Sequence, residues 1–287
     1  MRHHPVKIGI ISFFIVLFFM PIGHALMVLT DVLLQEQKLS GAFFIGFLGC
    51  LLLFISINRE LKSATATLLG LLAGVLVWTG WIEFSFVWIA EKLSTPALVQ
   101  NGVVVTKPEY LLMPSSLGLL GAFSLFYLFT SSKCQFFNWF QKRLHIKKHI
   151  KQKEKGKPVA VITFIETIMI LWVFYMVLLF VYDDGIFGDQ HPVTYLVAFG
   201  SLVWSGYLLP KLLRIQKFDY AIRYAIPTVI IFWNFVEILG RWNLFKEVWI
   251  HPLEYWKELL GIAIVLLGFV AYYLRKTQFT KRDKLLI

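Results

Sequence analysis

Long apolar segments dominate this chain and limit the folds that it can adopt. Eight of them stand between charged stretches, at 8–20, 41–57, 67–82, 117–129, 168–182, 195–209, 226–236 and 259–274. A transmembrane helix needs about 20 mostly apolar residues to cross roughly 30 Å of hydrocarbon, and with their flanks all eight segments qualify. Only 16% of the residues are charged, compared with about 25% in soluble domains. The sequence therefore predicts an all-α, polytopic membrane protein with about eight transmembrane helices.

The two halves of the chain resemble each other. A shift of 153 or 154 residues places Pro5 on Pro158, Asp31 on Asp184, Glu83 on Glu237 and Trp88 on Trp242. Each half holds four predicted spans, and because an even number of spans preserves orientation, the repeats should be parallel. We predict a tandem 4+4 bundle. Its first repeat is 1–132, a basic cytoplasmic linker follows at 133–157, and the second repeat with its basic tail is 158–287.

Basic residues are concentrated on one side of this topology. The termini and alternate loops hold 22 of the 28 Lys and Arg residues. Positively charged loops stay in the cytoplasm, which places both termini there. We therefore expect an integral protein of a plasma membrane or a bacterial inner membrane. Charge sidedness also explains the net charge of +11, so no nucleic-acid partner is predicted.

The linker at 133–157 has two interpretations. Phe136, Phe137, Phe140 and Leu144 share one helical face among many basic residues. A basic amphipathic helix of this kind binds anionic lipid at a membrane surface. The alternative is a solvated linker whose lysines follow only the charge rule for cytoplasmic loops. The lipid bilayer is the predicted partner in either case, and a protein partner within the membrane is a further alternative.

The first 25 residues imitate a secretory signal peptide. A basic start precedes an apolar stretch and the small-residue segment from Pro21 to Ala25. The apolar run continues to Leu34, however, and the repeat pairs this segment with an internal span. We therefore expect residues 1–25 to be retained as part of a transmembrane helix.

Four ionisable residues inside the predicted spans are the candidate site residues, since charged groups in lipid are costly and commonly functional. They are His24, Glu83, Glu166 and Glu237. At a rise of 1.5 Å per residue, three of them lie about 25 Å above their cytoplasmic helix starts, and Glu166 lies about 12 Å above its own. Glu166 has no counterpart in the first repeat. It is either a neutral acid packed between helices or part of a proton pathway.

Glu83 and Glu237 occupy matching positions in the two repeats. Two facing carboxylates would keep a proton or bind a cation, and His24 could serve as a third ligand or a proton partner. His24 closely follows Pro21, which favours a helix kink. In the alternative interpretation Glu237 pairs with Arg241, four residues later on the same helix, and both reach water at the interface.

Three tryptophans follow the seventh predicted span at intervals of seven residues. Trp242, Trp249 and Trp256 would share one side of a helix at the outer boundary, although Pro252 interrupts it. Tryptophans at this depth usually anchor a protein at the interface. The alternative is that they line a site.

No known catalytic or nucleotide-binding motif occurs in the sequence. No cofactor and no metal are predicted, and the missing motifs favour a non-enzymatic role. Three functions remain open. The first is a carrier or channel for a proton, cation or small solute that uses paired acids between the repeats. The others are a non-catalytic membrane subunit or assembly partner of a larger complex, and an intramembrane lipid-modifying enzyme.

Overall fold

The computed structural model describes residues 5–59, 61–100, 103–129, 135–145 and 158–282. These residues are almost entirely helical, as predicted. The helices are α1 (Pro5–Leu34), α2 (Lys38–Asn58), α3 (Ser63–Val77), α4 (Phe84–Lys92), α5 (Pro108–Leu112), α6 (Leu117–Phe129), α7 (Gln135–Arg143), α8 (Val159–Tyr182), α9 (Pro192–Leu212), α10 (Phe218–Arg241) and α11 (Trp256–Arg282). A π-helical turn (Trp78–Glu83) joins α3 to α4. Two short antiparallel strands, β1 (Leu98–Gln100) and β2 (Val103–Thr106), form a hairpin.

Seven helical stretches among the described residues are long and apolar enough to cross a membrane. The chain is therefore a multi-pass membrane protein in its helix composition. The first stretch, Pro5–Asn58, contains both α1 and α2. Gln35 lies between them with a φ of 41°, and a Cβ on Gly41 would lie 3.5 Å from the Thr30 side chain. Eleven residues of unbroken helix would span about 16 Å, so α2 turns back against the end of α1.

Two of the four most extensive helix contacts join the first half of the chain to the second. Helix α1 packs along α10, and α3 packs along α8. Within the halves, α2 packs on α3, and α9 packs on α10. A Cβ on Gly70 of α3 would overlap the carbonyl oxygen of Ala160 in α8, so glycine is what permits these two backbones to touch. Helix α10 contributes more of the central apolar core than its neighbours, with Ile222, Ile226 and Ile231 fully buried.

One end of the bundle collects the starts of α1, α3 and α10 and the C-terminal part of α11. The Ser63 hydroxyl donates to an Asp219 carboxylate oxygen at 2.7 Å. The Tyr273 hydroxyl donates to the Ala64 carbonyl oxygen at 3.5 Å. We call this the basic end, because Lys62, Lys211 and Lys217 are among the described residues that lie here.

The opposite end, which we call the hairpin end, carries β1 and β2. Here Lys38 joins three helices, since its Nζ lies 2.9 Å from Asp31 of α1 and 2.7 Å from Glu91 of α4. The indole N–H of Trp242 donates to the carbonyl oxygen of Asp189 at 2.8 Å, which ties the end of α10 to the α8–α9 loop.

The segment between α10 and α11 differs from the prediction. Residues 242–255 form turns instead of a helix, because Asn243 adopts a left-handed φ of 57° and ends α10. Trp242 stacks on a tyrosine of α9 with ring centroids 4.6 Å apart, and Trp249 packs on a tryptophan of α10 at 4.7 Å. Trp256 begins α11. The prediction of one shared helical face was therefore wrong.

The predicted linker is described only in part, since residues 133–134 and 146–157 lie outside the described residues. Helix α7 forms the described portion. Its Gln141 side chain is 1% exposed and donates to the carbonyl oxygens of Tyr127 at 3.2 Å and Leu128 at 2.9 Å. These bonds fasten α7 to the C-terminal end of α6.

Candidate functional site

A narrow cavity lies between α1, α3, the π-helical turn, α8 and α10. It is lined by three of the four predicted site residues, His24, Glu83 and Glu237, together with Tyr175 and Asn234. Its volume of about 40 Å³ has room for a few water molecules at about 10–15 Å³ each. We call this space the central cavity. It brings the matched glutamates of the two halves to the walls of one space.

On the α10 side of the central cavity, Glu237 has two aromatic neighbours with polar atoms. The indole N–H of Trp233, one turn earlier on α10, donates to Glu237 Oε1 at 2.6 Å. His24 Nε2 lies 3.3 Å from the same oxygen. The His24 ring stacks near Trp233 at 6.2 Å and near Tyr175 at 6.4 Å. Glu237 and His24 are thus held at a distance at which a proton can be shared.

On the opposite wall, Glu83 ends the π-helical turn and is 3% exposed. Trp78, at the start of the same turn, and Tyr175 of α8 line the central cavity beside it, with their ring centroids 5.7 Å apart. The Tyr175 ring lies 5.9 Å from the ring of Tyr110 in α5, whose hydroxyl donates to the Met27 sulfur at 3.8 Å. Two tyrosine side chains therefore lie between Glu83 and the hairpin end.

The π-helical turn brings Glu83 to the same level in its half as Glu237 in the other. Glu83 follows the start of α3 at Ser63 by 20 residues, whereas Glu237 follows the start of α10 at Phe218 by 19 residues. A π-helical turn absorbs one additional residue within a helix. Each glutamate consequently follows a tryptophan by one turn, five residues later in the π turn and four residues later in α10.

A wider space continues from the central cavity to the hairpin end. It has a volume of about 350 Å³ and shares His24, Tyr175, Leu178 and Glu237 with the central cavity. We call it the vestibule. The β-hairpin contributes Leu98 and Thr106 to its wall, so the vestibule extends from His24 and Glu237 to the hairpin end, whereas Glu83 lines only the central cavity.

Charged side chains of both signs surround the mouth of the vestibule. They include Lys107, Arg241 and Glu247. Arg241 Nε donates to both carboxylate oxygens of Asp189 at 3.0 Å. Burial, together with the negative charge of Glu237, raises the pKa of Glu247 to about 7 against the opposing effect of Arg241. Glu247 therefore changes charge near neutral pH at the entrance to the site.

Three buried donors in these walls have no hydrogen-bond partner among the described residues. They are the amide nitrogen of Asn234 in the central cavity, and the Tyr182 hydroxyl and Trp249 indole N–H in the vestibule. Leaving a buried donor without a hydrogen-bond partner destabilises the folded state by roughly 1–3 kcal/mol. Water or a polar solute in the two spaces would supply the missing acceptors.

Glu166 lies apart from this arrangement. It is 2% exposed in α8 and lines neither the central cavity nor the vestibule. Thr163 and Thr167, which stand near it on the same helix, donate to backbone carbonyls one turn earlier. Of the four predicted site residues, Glu166 is the one that the structure leaves outside the site.

Several site residues were not predicted from the sequence. Tyr110, Tyr175 and Asn234 gave no signal, because single tyrosines and an asparagine in apolar spans usually pack or hydrogen-bond locally. A signal did exist for Trp78 and Trp233, since each precedes one of the matched glutamates by about one helical turn.

Within the part of the chain that the structure describes, no group of three His, Cys, Asp or Glu side chains converges as a metal site would require. No protein-family model matches the chain, and no curated protein and no solved structure is similar to it. The proposal for its function therefore depends on the geometry of the central cavity and the vestibule.

Proposed function

We propose that this protein is a membrane carrier that couples proton binding to the movement of a small polar solute. The observation that carries the proposal is the convergence of His24, Glu83 and Glu237 on a cavity continuous with the vestibule. Ionisable residues within membrane spans commonly face a water-filled space and mark proton or substrate pathways. A vestibule of about 350 Å³ is large enough for a small metabolite.

The proposed topology has eight spans, with α1 and α2 crossing separately. The basic end then faces the cytoplasm with both termini, and the hairpin end faces outward. In this arrangement the vestibule opens to the outside of a plasma membrane or a bacterial inner membrane.

The proposed halves are parallel repeats of four spans. Two observations support this arrangement. The first helix of each half packs against the third helix of the other, as a twofold axis along the membrane normal would require. Trp78 with Glu83 and Trp233 with Glu237 also occupy equivalent places on the walls of the central cavity. Substrate sites at repeat interfaces are typical of transporters, whose repeats move against each other during alternating access.

The His24–Glu237 pair supplies the proposed coupling. When His24 carries a proton, it forms an ion pair with the Glu237 carboxylate, and when the proton leaves, the pair carries a net negative charge. A solute that donates hydrogen bonds or carries a positive charge would bind the second state better, and a differential affinity of this kind shifts a conformational equilibrium. Asn234, Tyr182 and Trp249 would bind acceptor atoms of the same solute.

The proposal can be tested with purified protein in sealed lipid vesicles. The vesicles hold a pH-sensitive dye, and a K⁺ diffusion potential makes their interior negative. We expect protein-dependent acidification, and a pool of amino acids, amines and sugars trapped inside the vesicles should accelerate it, because the solute leaves as the proton enters. A rate equal to that of protein-free vesicles, with and without the pool, would contradict the proposal and favour the assembly-partner interpretation.

A further inference from the structure

A second cavity lies at the basic end, away from the proposed transport site. It has a volume of about 170 Å³ between α7, α9 and α10. Apolar and aromatic side chains form its walls, among them Trp139, Trp204, Tyr224 and Pro227. The rings of Trp139 and Trp204 lie 6.5 Å apart and join α7 to α9. We call this cavity the basic-end groove.

Two lysines flank the groove. Lys142 comes from the last turn of α7 and Lys211 from the last turn of α9. The Lys211 ammonium lies 3.7 Å from the ring centroid of Tyr207, a cation–π contact that holds it at the rim. None of the described residues that line the groove is acidic. The groove therefore offers positive charge beside an apolar wall.

An apolar stripe on α9 leads into the groove. Leu196, Phe199, Val203 and Tyr207 are 71%, 51%, 71% and 60% exposed. They recur at intervals of three or four residues and therefore share one helix face. Lys211 continues the same face one turn after Tyr207. A ligand at the two lysines would have about four turns of exposed apolar helix beside it.

We propose that the basic-end groove is a binding site for one anionic phospholipid. The phosphate of the headgroup lies between Lys142 and Lys211, the aromatic rings contact the glycerol region, and one acyl chain lies along the α9 stripe. Basic pockets between transmembrane helices bind anionic headgroups in this way. The stripe favours a lipid over a soluble anion, because a free phosphate has no apolar part that could contact it.

A lipid in the basic-end groove would also contact helix α7. It reaches α10 and is fastened to α6 by Gln141, so a lipid in the groove joins the described part of the linker to both halves of the bundle. The lipid would stabilise the contact between the halves without taking part in solute binding. This proposal is independent of the transport proposal.

The test compares lipid binding to the full-length protein and to the double variant Lys142→Gln, Lys211→Gln. Binding of phosphatidylglycerol to protein in detergent is measured by native mass spectrometry, with phosphatidylcholine as the neutral reference. We expect about 25-fold weaker phosphatidylglycerol binding in the variant, about fivefold for each lysine, as the usual contribution of a basic residue near a membrane surface implies. Phosphatidylcholine binding should not change.

The matched control is the double variant Arg214→Gln, Lys217→Gln. It removes the same charge from the same end of the bundle, at residues that do not line the groove. We expect less than a threefold change for the control. An equal loss in both variants would overturn the site, because it would show diffuse attraction to the basic end. Displacement of phosphatidylglycerol by millimolar inorganic phosphate would also overturn it, in favour of a soluble anion.

Discussion

Replacing both central glutamates, Glu83→Gln with Glu237→Gln, is expected to reduce proton uptake to the level of protein-free vesicles. Glutamine keeps the size of the side chain and at position 237 can still accept the hydrogen bond from Trp233, but it cannot bind and release a proton. The loss should therefore appear in transport and not in folding. Uptake of protons is measured with the trapped dye, and folding with the melting temperature in detergent.

Glu166→Gln is the matched control for this variant. It also removes a buried acid from a transmembrane helix, but Glu166 lies outside both the central cavity and the vestibule. We expect uptake close to that of the unmodified protein. Full activity of the double variant, with normal insertion in the membrane, would eliminate the paired glutamates as the site. Loss of activity in Glu166→Gln alone would instead indicate a proton pathway along α8.

The second large effect is expected from Gly70→Leu, which should lower the melting temperature in detergent by about 5–10 °C. A Cβ at this position would overlap the Ala160 carbonyl oxygen and lie 3.0 Å from the Thr163 Cβ. Backbone atoms cannot relieve an overlap by a rotamer change, as a flexible side chain can, so α3 and α8 must separate. Overpacking of this kind costs about 1–3 kcal/mol or more, and about 1 kcal/mol lowers the melting temperature by roughly 2–4 °C in a protein of this size class.

Gly200→Leu provides the control, because Gly200 is also a helix glycine but has no atom within 4 Å of an added Cβ. Its substitution should leave the melting temperature nearly unchanged. If Gly70→Leu and Gly200→Leu melted at the same temperature, the close contact of α3 with α8 would not exist as described. The comparison separates packing from the general effect of a larger residue in a membrane helix.

The sequence predicted the helical class of the fold and most of the candidate site. Apolar runs of the length of a bilayer are direct evidence for spans, and the matched positions of Glu83 and Glu237 already suggested a shared space. His24 was predicted from its place in a span, near the depth of both glutamates. The helical class is confirmed, because it depends on segment length, which does not require knowledge of side-chain packing. The roles of His24, Glu83 and Glu237 stay predictions, although all three line the central cavity.

The remainder of the site depends on tertiary contacts. Tyr110 and Tyr175 enter it because α5 and α8 meet at the central cavity, and nothing in their local sequence distinguishes them from packing tyrosines. No local sequence pattern marks the additional residue between the start of α3 and Glu83. A π-helical turn absorbs this residue and places Glu83 at the level of Glu237. Arg241 was considered a partner of Glu237, but Asp189 from a different loop reaches its guanidinium.

The spacing of Trp242, Trp249 and Trp256 misled the prediction for a related reason. A seven-residue interval implies a shared face only while the helix continues, and α10 ends at Arg241. The left-handed conformation of Asn243 could not be read from the interval. Trp249 consequently lines the vestibule. Lining a site was the alternative to interfacial anchoring for these tryptophans.

The central claim is that water reaches the space between the two halves from the hairpin end, and cysteine labelling tests it most directly. Leu178 lines both the central cavity and the vestibule. In a chain whose Cys50 and Cys134 are changed to serine, Leu178→Cys is exposed to a membrane-impermeant methanethiosulfonate reagent outside intact cells. Leu196→Cys is the control, since Leu196 lies the same four residues from the hairpin end of its helix but is 71% exposed on the outer surface of the bundle.

We expect rapid labelling of Leu178→Cys, because a thiol in contact with water can ionise, and slow labelling of Leu196→Cys, because a thiol in lipid cannot. Prior addition of a transported solute should protect the cysteine at 178. Labelling of Leu178→Cys that is no faster than that of Leu196→Cys, or that occurs only from the cytoplasmic side, would contradict the account.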